Sequence, residues 1–238
     1  DLAASYRESE NDLDSFAYGI GFADNPNYTS SIEHLALSAN FSLPVTDWYT
    51  QKVLLGYSSS DMRDRDPDES WNEADILTET LEGTLLAELR PHQNDTLALG
   101  YTHTREDVDS SGNYDESRET NSVFAENVWA FAENSSLSAG IRHDDVDGFG
   151  SETTLRLAGA YTLPFSNSTR LHASWGTGFK APNLNDLYWP GSGNPDLDAE
   201  ESRSYDLGIE QTFLDGRAVA DVTYFNSEVE ELISSMKK

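Results

Sequence analysis

The sequence predicts an all-β chain, an antiparallel up-and-down transmembrane β-barrel region of about 10–12 strands. Three features carry that reading. Apolar and polar residues alternate with a period of two through most of the chain, the mark of strands with one apolar face. Short polar turns alternate with longer polar stretches, an arrangement that outer-membrane barrels need and a soluble sandwich does not. No apolar run approaches the roughly eighteen residues of a spanning helix, whereas a barrel strand needs only about ten alternating ones.

The elements follow in order. Leu2, Ala4 and Tyr6 share a face and lead into a polar excursion read as a loop over 8–31. Leu35, Leu37, Ala39, Phe41 and Leu43 form the next face, and after a turn at Pro44–Asp47 the chain returns through Tyr49, Val53, Leu55 and Tyr57. A charged loop is expected over 58–75, then a strand with Leu77, Leu81, Leu85, Ala87 and Leu89 on one side. The turn Pro91–Asp95 feeds Leu97, Leu99, Tyr101 and His103; a loop over 105–117 precedes Val123, Ala125, Trp129 and Phe131. Leu137, Ala139 and Ile141 come next, then a loop over 143–151, then Leu155, Leu157, Gly159 and Tyr161. Leu171, Ala173 and Trp175 lead into the longest loop, 177–202, and Tyr205, Leu207, Ile209 and Phe213 follow it, ahead of Ala218, Ala220, Val222 and Tyr224.

Residues 1–238 therefore read as a single barrel region, its long loops extracellular and its short turns periplasmic. The opposite faces carry Arg156, Arg170, His172, Asp206, Glu210 and Asp221, which suit a water-filled lumen. Aromatic residues near strand ends (Trp48, Tyr49, Tyr57, Trp129, Tyr161, Trp175, Tyr224) fit interfacial girdles.

Composition removes several function classes. A formal charge of −28 argues against nucleic acid as a partner, because phosphate binding needs clustered Lys and Arg. With no cysteine there is neither a disulfide framework nor thiol chemistry. No nucleophile elbow, glycine-rich phosphate loop or zinc-peptidase motif occurs, and the five histidines show no metal-binding spacing, so the chain is not read as an enzyme and no catalytic residue is assigned.

The most specific stretch is Gly176–Ser202, GTGFKAPNLNDLYWPGSGNPDLDAEES, with SYDLGIE just beyond it. A structureless connection this long inside a compact domain usually serves binding. Its Phe179, Lys180, Ala181, Pro182, Leu187, Tyr188, Gly193, Asn194, Pro195, Leu197, Glu200, Ser202 and Gly208 fall on the pattern of the C-terminal barrel region of TonB-dependent outer-membrane transporters. The chain most resembles their cobalamin (vitamin B12) receptors. It departs from the pattern at Ala199, where Pro is usual, and at Asp206, where Glu is usual.

The resemblance implies a bacterial outer-membrane receptor importing cobalamin or a similar large metal-containing nutrient, with outer-membrane lipid and that nutrient as partners. Energy coupling to an inner-membrane complex would run through a plug domain that this chain does not show. The chain is expected to be part, or a shortened version, of the family's twenty-two-stranded barrel, and a small barrel closed by this chain alone is the favoured form. Tyr188, Trp189, Asn194 and Asp186 are the candidate ligand contacts; Phe179, Lys180, Ala181, Pro182, Leu187, Gly193, Pro195 and Glu200 are expected to shape the loop.

No cofactor is expected, with calcium the one candidate. Asp64, Asp66 and Asp68 have the i, i+2, i+4 spacing of the first ligands of a calcium loop, although Glu69 and Asp75 then break the pattern. Asp144, Asp145 and Asp147, ahead of Gly148, form a second cluster, and the resemblance implies calcium held by loop aspartates. Two other readings remain at this point: a plugless, porin-like passive pore, and a soluble β-rich binding protein.

Overall fold

The alternation resolves into eleven strands: β1 (Leu2–Ala17), β2 (Gly21–Thr46), β3 (Tyr49–Arg65), β4 (Ala74–His92), β5 (Asp95–Ser110), β6 (Tyr114–Ala132), β7 (Ser135–Val146), β8 (Gly150–Thr162), β9 (Thr169–Lys180), β10 (Glu200–Phe213) and β11 (Ala218–Glu230). One short helix, α1 (Leu184–Tyr188), lies between β9 and β10. The computed structural model describes residues 1–17, 21–69, 72–166 and 168–233; parts of the expected 8–31 and 58–75 loops, at 18–20 and 70–71, lie outside the described residues. Every strand pairs antiparallel with its sequence neighbours, in the order β1 through β11. Short turns at one end (47–48, 93–94, 133–134) alternate with connections at the other, which we call the loop end.

Two expectations need correction. The favoured small closed barrel is not formed: among the described residues no ladder joins β11 to β1, so the sheet has two open edges. The long loops are also shorter than polarity suggested. β1 and β2 run through most of 8–31 and β3 reaches Arg65; β5 and β6 meet at a three-residue turn with Gly112 at φ 79°, β7 and β8 at one with Gly148 at φ 74°. Glycine adopts that left-handed conformation without the Cβ clash other residues meet. Among the described residues, long connections at the loop end remain at 66–69 with 72–73, and at 181–199. Polarity reports where a strand meets water, and the ladder continues well beyond that point.

The two faces of this single-layered sheet differ as the alternation requires. Leu137, Leu171 and Leu207 stand 48%, 41% and 57% exposed on one face, while the most buried residues include Ser110, Ser122, Thr102 and Asp144 on the other. A soluble protein covers its apolar face with a second layer; among the described residues the apolar face is uncovered, as suits a face turned to hydrocarbon.

The apolar band also fixes the tilt of the strands. Tyr57 lies opposite Leu81, but Tyr101, the uppermost apolar outward residue of β5, lies opposite Leu85, four residues lower on β4. Val123 is opposite Tyr101, while Ile141 is opposite Ala125, two lower on β6; Leu155 is opposite Ile141, while Trp175 is opposite Leu157. A band level with a membrane must therefore cross the strands obliquely. A drop of a little over one residue per strand, at about 3.3 Å per residue and about 4.8 Å between strands, corresponds to a tilt of roughly 40°, within the range of membrane barrels. Above the band the outward face turns charged, with Arg63 paired to Asp61 and Arg105 to Asp107. Below it Trp129, Phe131 and Tyr161 form an aromatic cluster, with ring centroids 5.5 and 6.1 Å apart.

The polar face is packed tightly by ring-over-glycine pairs. Phe124 lies across Gly100, directly opposite on β5, and His172 lies across Gly208 on β10 while bonding Asp221 at 2.9 Å. Arg142 reaches across the Phe124 ring at 5.8 Å and donates to Asp144 and to Ser122, whose hydroxyl also donates to Asp144 at 2.6 Å. The nearly buried Asp144 carboxylate is thereby paired and hydrogen-bonded, as such a charge must be.

A Cβ at Gly100 would fall inside the Phe124 ring, so Gly100→Ala is expected to destabilise the folded barrel by about 1–3 kcal/mol, the usual range for overpacking. Phe124→Leu in the same background should recover most of that loss. Thermal unfolding of the full-length protein in detergent, followed by gel mobility of the folded form, reads both.

Candidate loop-end binding site

The β9–β10 connection builds its own shape. Lys180 and Glu200, the last paired residues of β9 and β10, close its neck with an ion pair of 3.8 Å. Asn183 caps α1 by accepting from the Asp186 amide at 2.7 Å, and Asp186 reciprocates by accepting from the Asn183 amide at 3.1 Å, a capping box that satisfies two otherwise unpaired donors. Beyond the helix the Gly193 amide donates to the Trp189 carbonyl at 2.7 Å and the Asn194 amide to the Asp186 carbonyl at 2.8 Å. A Cβ at Gly193 would strike the Leu187 carbonyl and the Trp189 amide, so only glycine fits this return.

The connection then folds back over the polar face of β3–β6. Leu184 is buried against Ile76 and Val108, with Met62, Tyr114 and Trp189 around them, the apolar cluster on which the loop sits. The Tyr114 hydroxyl donates to Asn185, and its ring lies 6.3 Å from Tyr188 and 6.5 Å, edge-on, from Trp189. Burial, reinforced by the negative charge of Glu106, pushes the Tyr114 phenol above its ordinary pKa and keeps it a donor. Arg118 donates one nitrogen to the Pro182 carbonyl at 2.6 Å and another to Glu106 at 2.7 Å. Pro182 itself is fully buried.

The expected ligand contacts thus divide. Asp186 is held in the capping box, Asn194 turns its side-chain oxygen to the Asp196 amide at 3.2 Å, and Trp189 is half-buried in the seat. Tyr188, 37% exposed, is the aromatic side chain the loop presents. Tyr114, Arg118 and Glu106, which hold the loop, gave no local signal in the sequence: Pro182 and Asn185 lie 64 and 71 residues from the side chains that bond them.

The aspartates are placed as follows. Asp66, fully buried just past β3, accepts the amides of Asp68 and Glu69 on Oδ1 and the side-chain amides of Asn25 and Asn72 on Oδ2. Asp68 accepts from Asn27 at 2.7 Å. These bonds tie the β1–β2 end to the β3–β4 connection. The Asn72 bond foremost, with those of Asp68, Asn25 and Glu69, holds Asp66 below the usual carboxylate range against the opposing effect of burial. Among the described residues, one buried carboxylate oxygen of Asp64 has no hydrogen-bond partner. Asp144 and Asp145 are consecutive strand residues and point to opposite faces, and the Asp147 amide donates to the Glu119 carbonyl at 2.9 Å. Among the described residues no three carboxylates or histidines converge as a metal centre requires.

Comparison with known proteins accords with this architecture. Residues 1–237 match the family described as TonB dependent receptor-like, beta-barrel. The chain belongs to that family. It is 28% identical over 241 residues to the vitamin B12 transporter BtuB of Photobacterium profundum, covering 98% of this chain and 36% of that protein. It is 36% identical over 148 residues to the BtuB of Vibrio vulnificus, covering 58% of this chain and 22% of the relative. The fold matches a ferric enterobactin receptor (PfeA) mutant of Pseudomonas aeruginosa with TM-score 0.73 at 20% identity, over 96% of this chain and 40% of that one. It matches the copper transporter OprC with TM-score 0.70 at 18% identity, over 85% and 39%. This chain spans about a third of the length of the first BtuB relative. TonB-dependent receptor barrels are outer-membrane proteins of Gram-negative bacteria and transporters, not enzymes, and the polar face of the sheet is accordingly the lumen wall.

Asp66→Ala should speed hydrogen exchange of the Asp68 and Glu69 amides at least about tenfold in the full-length protein, since both lose their acceptor. With its folded pKa depressed, Asp66 contributes its protection above the ordinary carboxylate pKa, and that protection should fade as pH falls through the lowered value. Exchange rates corrected for intrinsic pH dependence, unchanged in Asp66→Ala or flat across that window, would contradict this.

Proposed function

We propose that this chain forms part of the wall and the ligand-receiving mouth of an outer-membrane receptor that imports cobalamin or a similarly large metal-containing nutrient. The observation that carries the reading is the β9–β10 connection, preshaped by its own capping box and seated over the lumen face at the loop end. Its loop end faces outward and its short turns face the periplasm, as in outer-membrane barrels. Relatives named as vitamin B12 transporters support cobalamin over other cargo. The open edges of β1 and β11 would meet further strands of a larger barrel, because hydrocarbon does not tolerate unpaired backbone. Energy coupling would be supplied through a plug domain of the full-length receptor.

Binding of labelled cyanocobalamin to outer-membrane vesicles carrying the full-length protein tests this. Saturable binding, competed by excess unlabelled ligand, is expected, and replacing residues 183–194 by a Gly-Ser segment should abolish it while the barrel stays folded. Absence of saturable binding, together with steady conductance in a planar bilayer, would favour a passive pore instead.

A further inference from the structure

We propose that Arg118, on the lumen face of β6, is the positioning residue of the mouth, holding the β9–β10 connection so that Tyr188 meets the ligand. The inference rests on that connection being the ligand-receiving loop. Arg118 is the one side chain that joins the barrel wall to the start of the connection by charge-assisted hydrogen bonds among the described residues. Its side chain is only 14% exposed, and its guanidinium spans two acceptors at once, the Pro182 carbonyl at 2.6 Å and the Glu106 carboxylate at 2.7 Å. Pro182 is fully buried and, having no N–H, can hydrogen-bond at this point of the loop only through its carbonyl.

Without the guanidinium, that carbonyl loses its donor and Glu106 loses its counter-charge. Both are better served by water, so the connection would lift from its seat. An ammonium at this position supplies charge but not the planar fork that reaches both acceptors. The seat and the contact surface are carried by different residues. Leu184 and Trp189 pack against Ile76, Val108 and Tyr114, whereas Tyr188 is turned out beside the Tyr114 ring. A variant that unseats the loop and one that removes its contact should therefore leave different signatures.

The test uses the full-length receptor in bilayers, with cyanocobalamin as the probe and two nitroxides, at Ser192→Cys on the loop and Ser117→Cys on β6. In the parent protein the distance distribution between the labels should be narrow. Arg118→Ala should broaden it and weaken cyanocobalamin binding by about tenfold or more, the scale of a lost charge-assisted hydrogen bond. Arg118→Lys should fall between, and Tyr188→Ala should weaken binding while the distribution stays narrow. A narrow distribution in Arg118→Ala, or an affinity within about twofold of the parent, overturns the assignment. If the parent protein does not bind cyanocobalamin, the nutrient proposed above is wrong, and the distance distribution still decides whether Arg118 seats the loop.

Discussion

Inside a bilayer no water is present to satisfy a backbone amide or carbonyl, and each unpaired group costs several kcal/mol. The eleven-strand ladder meets that constraint by pairing every strand from β2 to β10 on both sides. Because strand side chains alternate, satisfying the backbone in this way forces one entire face outward. That face is apolar across neighbouring strands, and the opposite one buries serine, threonine and a paired aspartate. The inversion of the usual soluble pattern follows from the ladder and the solvent together.

The same constraint explains why the loop end is organised as it is. Above the apolar band the strands stand in water and continue to pair, as β3 does to Arg65 and β5 to Ser110. They form a paired collar on which the β9–β10 connection rests. Most of the connection's conspicuous residues serve its own shape: Asp186 and Asn183 cap each other, Gly193 permits the return, and Trp189 fills the seat. In the receptor proposed above, a loop held this firmly would have little ordering entropy left to lose on binding, which favours affinity through preorganisation. Tyr188 remains as the exposed aromatic surface of that loop.

What the sequence revealed depended on range. The strands were legible because alternation is local: Leu35 to Leu43, or Leu155 to Tyr161, declares its outward face within nine residues or fewer. Strand ends were not legible, since polar strand and polar loop share a composition, and the segments 105–117 and 143–151 proved to be mostly ladder around tight glycine turns. The longest connection was marked by its own prolines and glycines, which are local signals. Its fastening was hidden. Arg118 and Pro182, or Asp66 and Asn25, are separated by 64 and 41 residues, and no periodicity links them. The aspartate spacing at 64, 66 and 68 resembled a cation loop, yet Asp66 accepts four N–H groups, which is how a carboxylate fastens loops.

The orientation of the faces is the claim on which the rest depends, and lipid-borne quenchers address it directly. Fluorophores placed singly at Leu137, Leu171 and Leu207, or at Arg156, Arg170 and Glu210, in the full-length protein reconstituted with brominated lipids would report which face touches acyl chains. Strong quenching at the three leucine positions and little at the other three is the expected result. Quenching at Arg156, Arg170 and Glu210 with the leucine sites silent would contradict the membrane orientation outright.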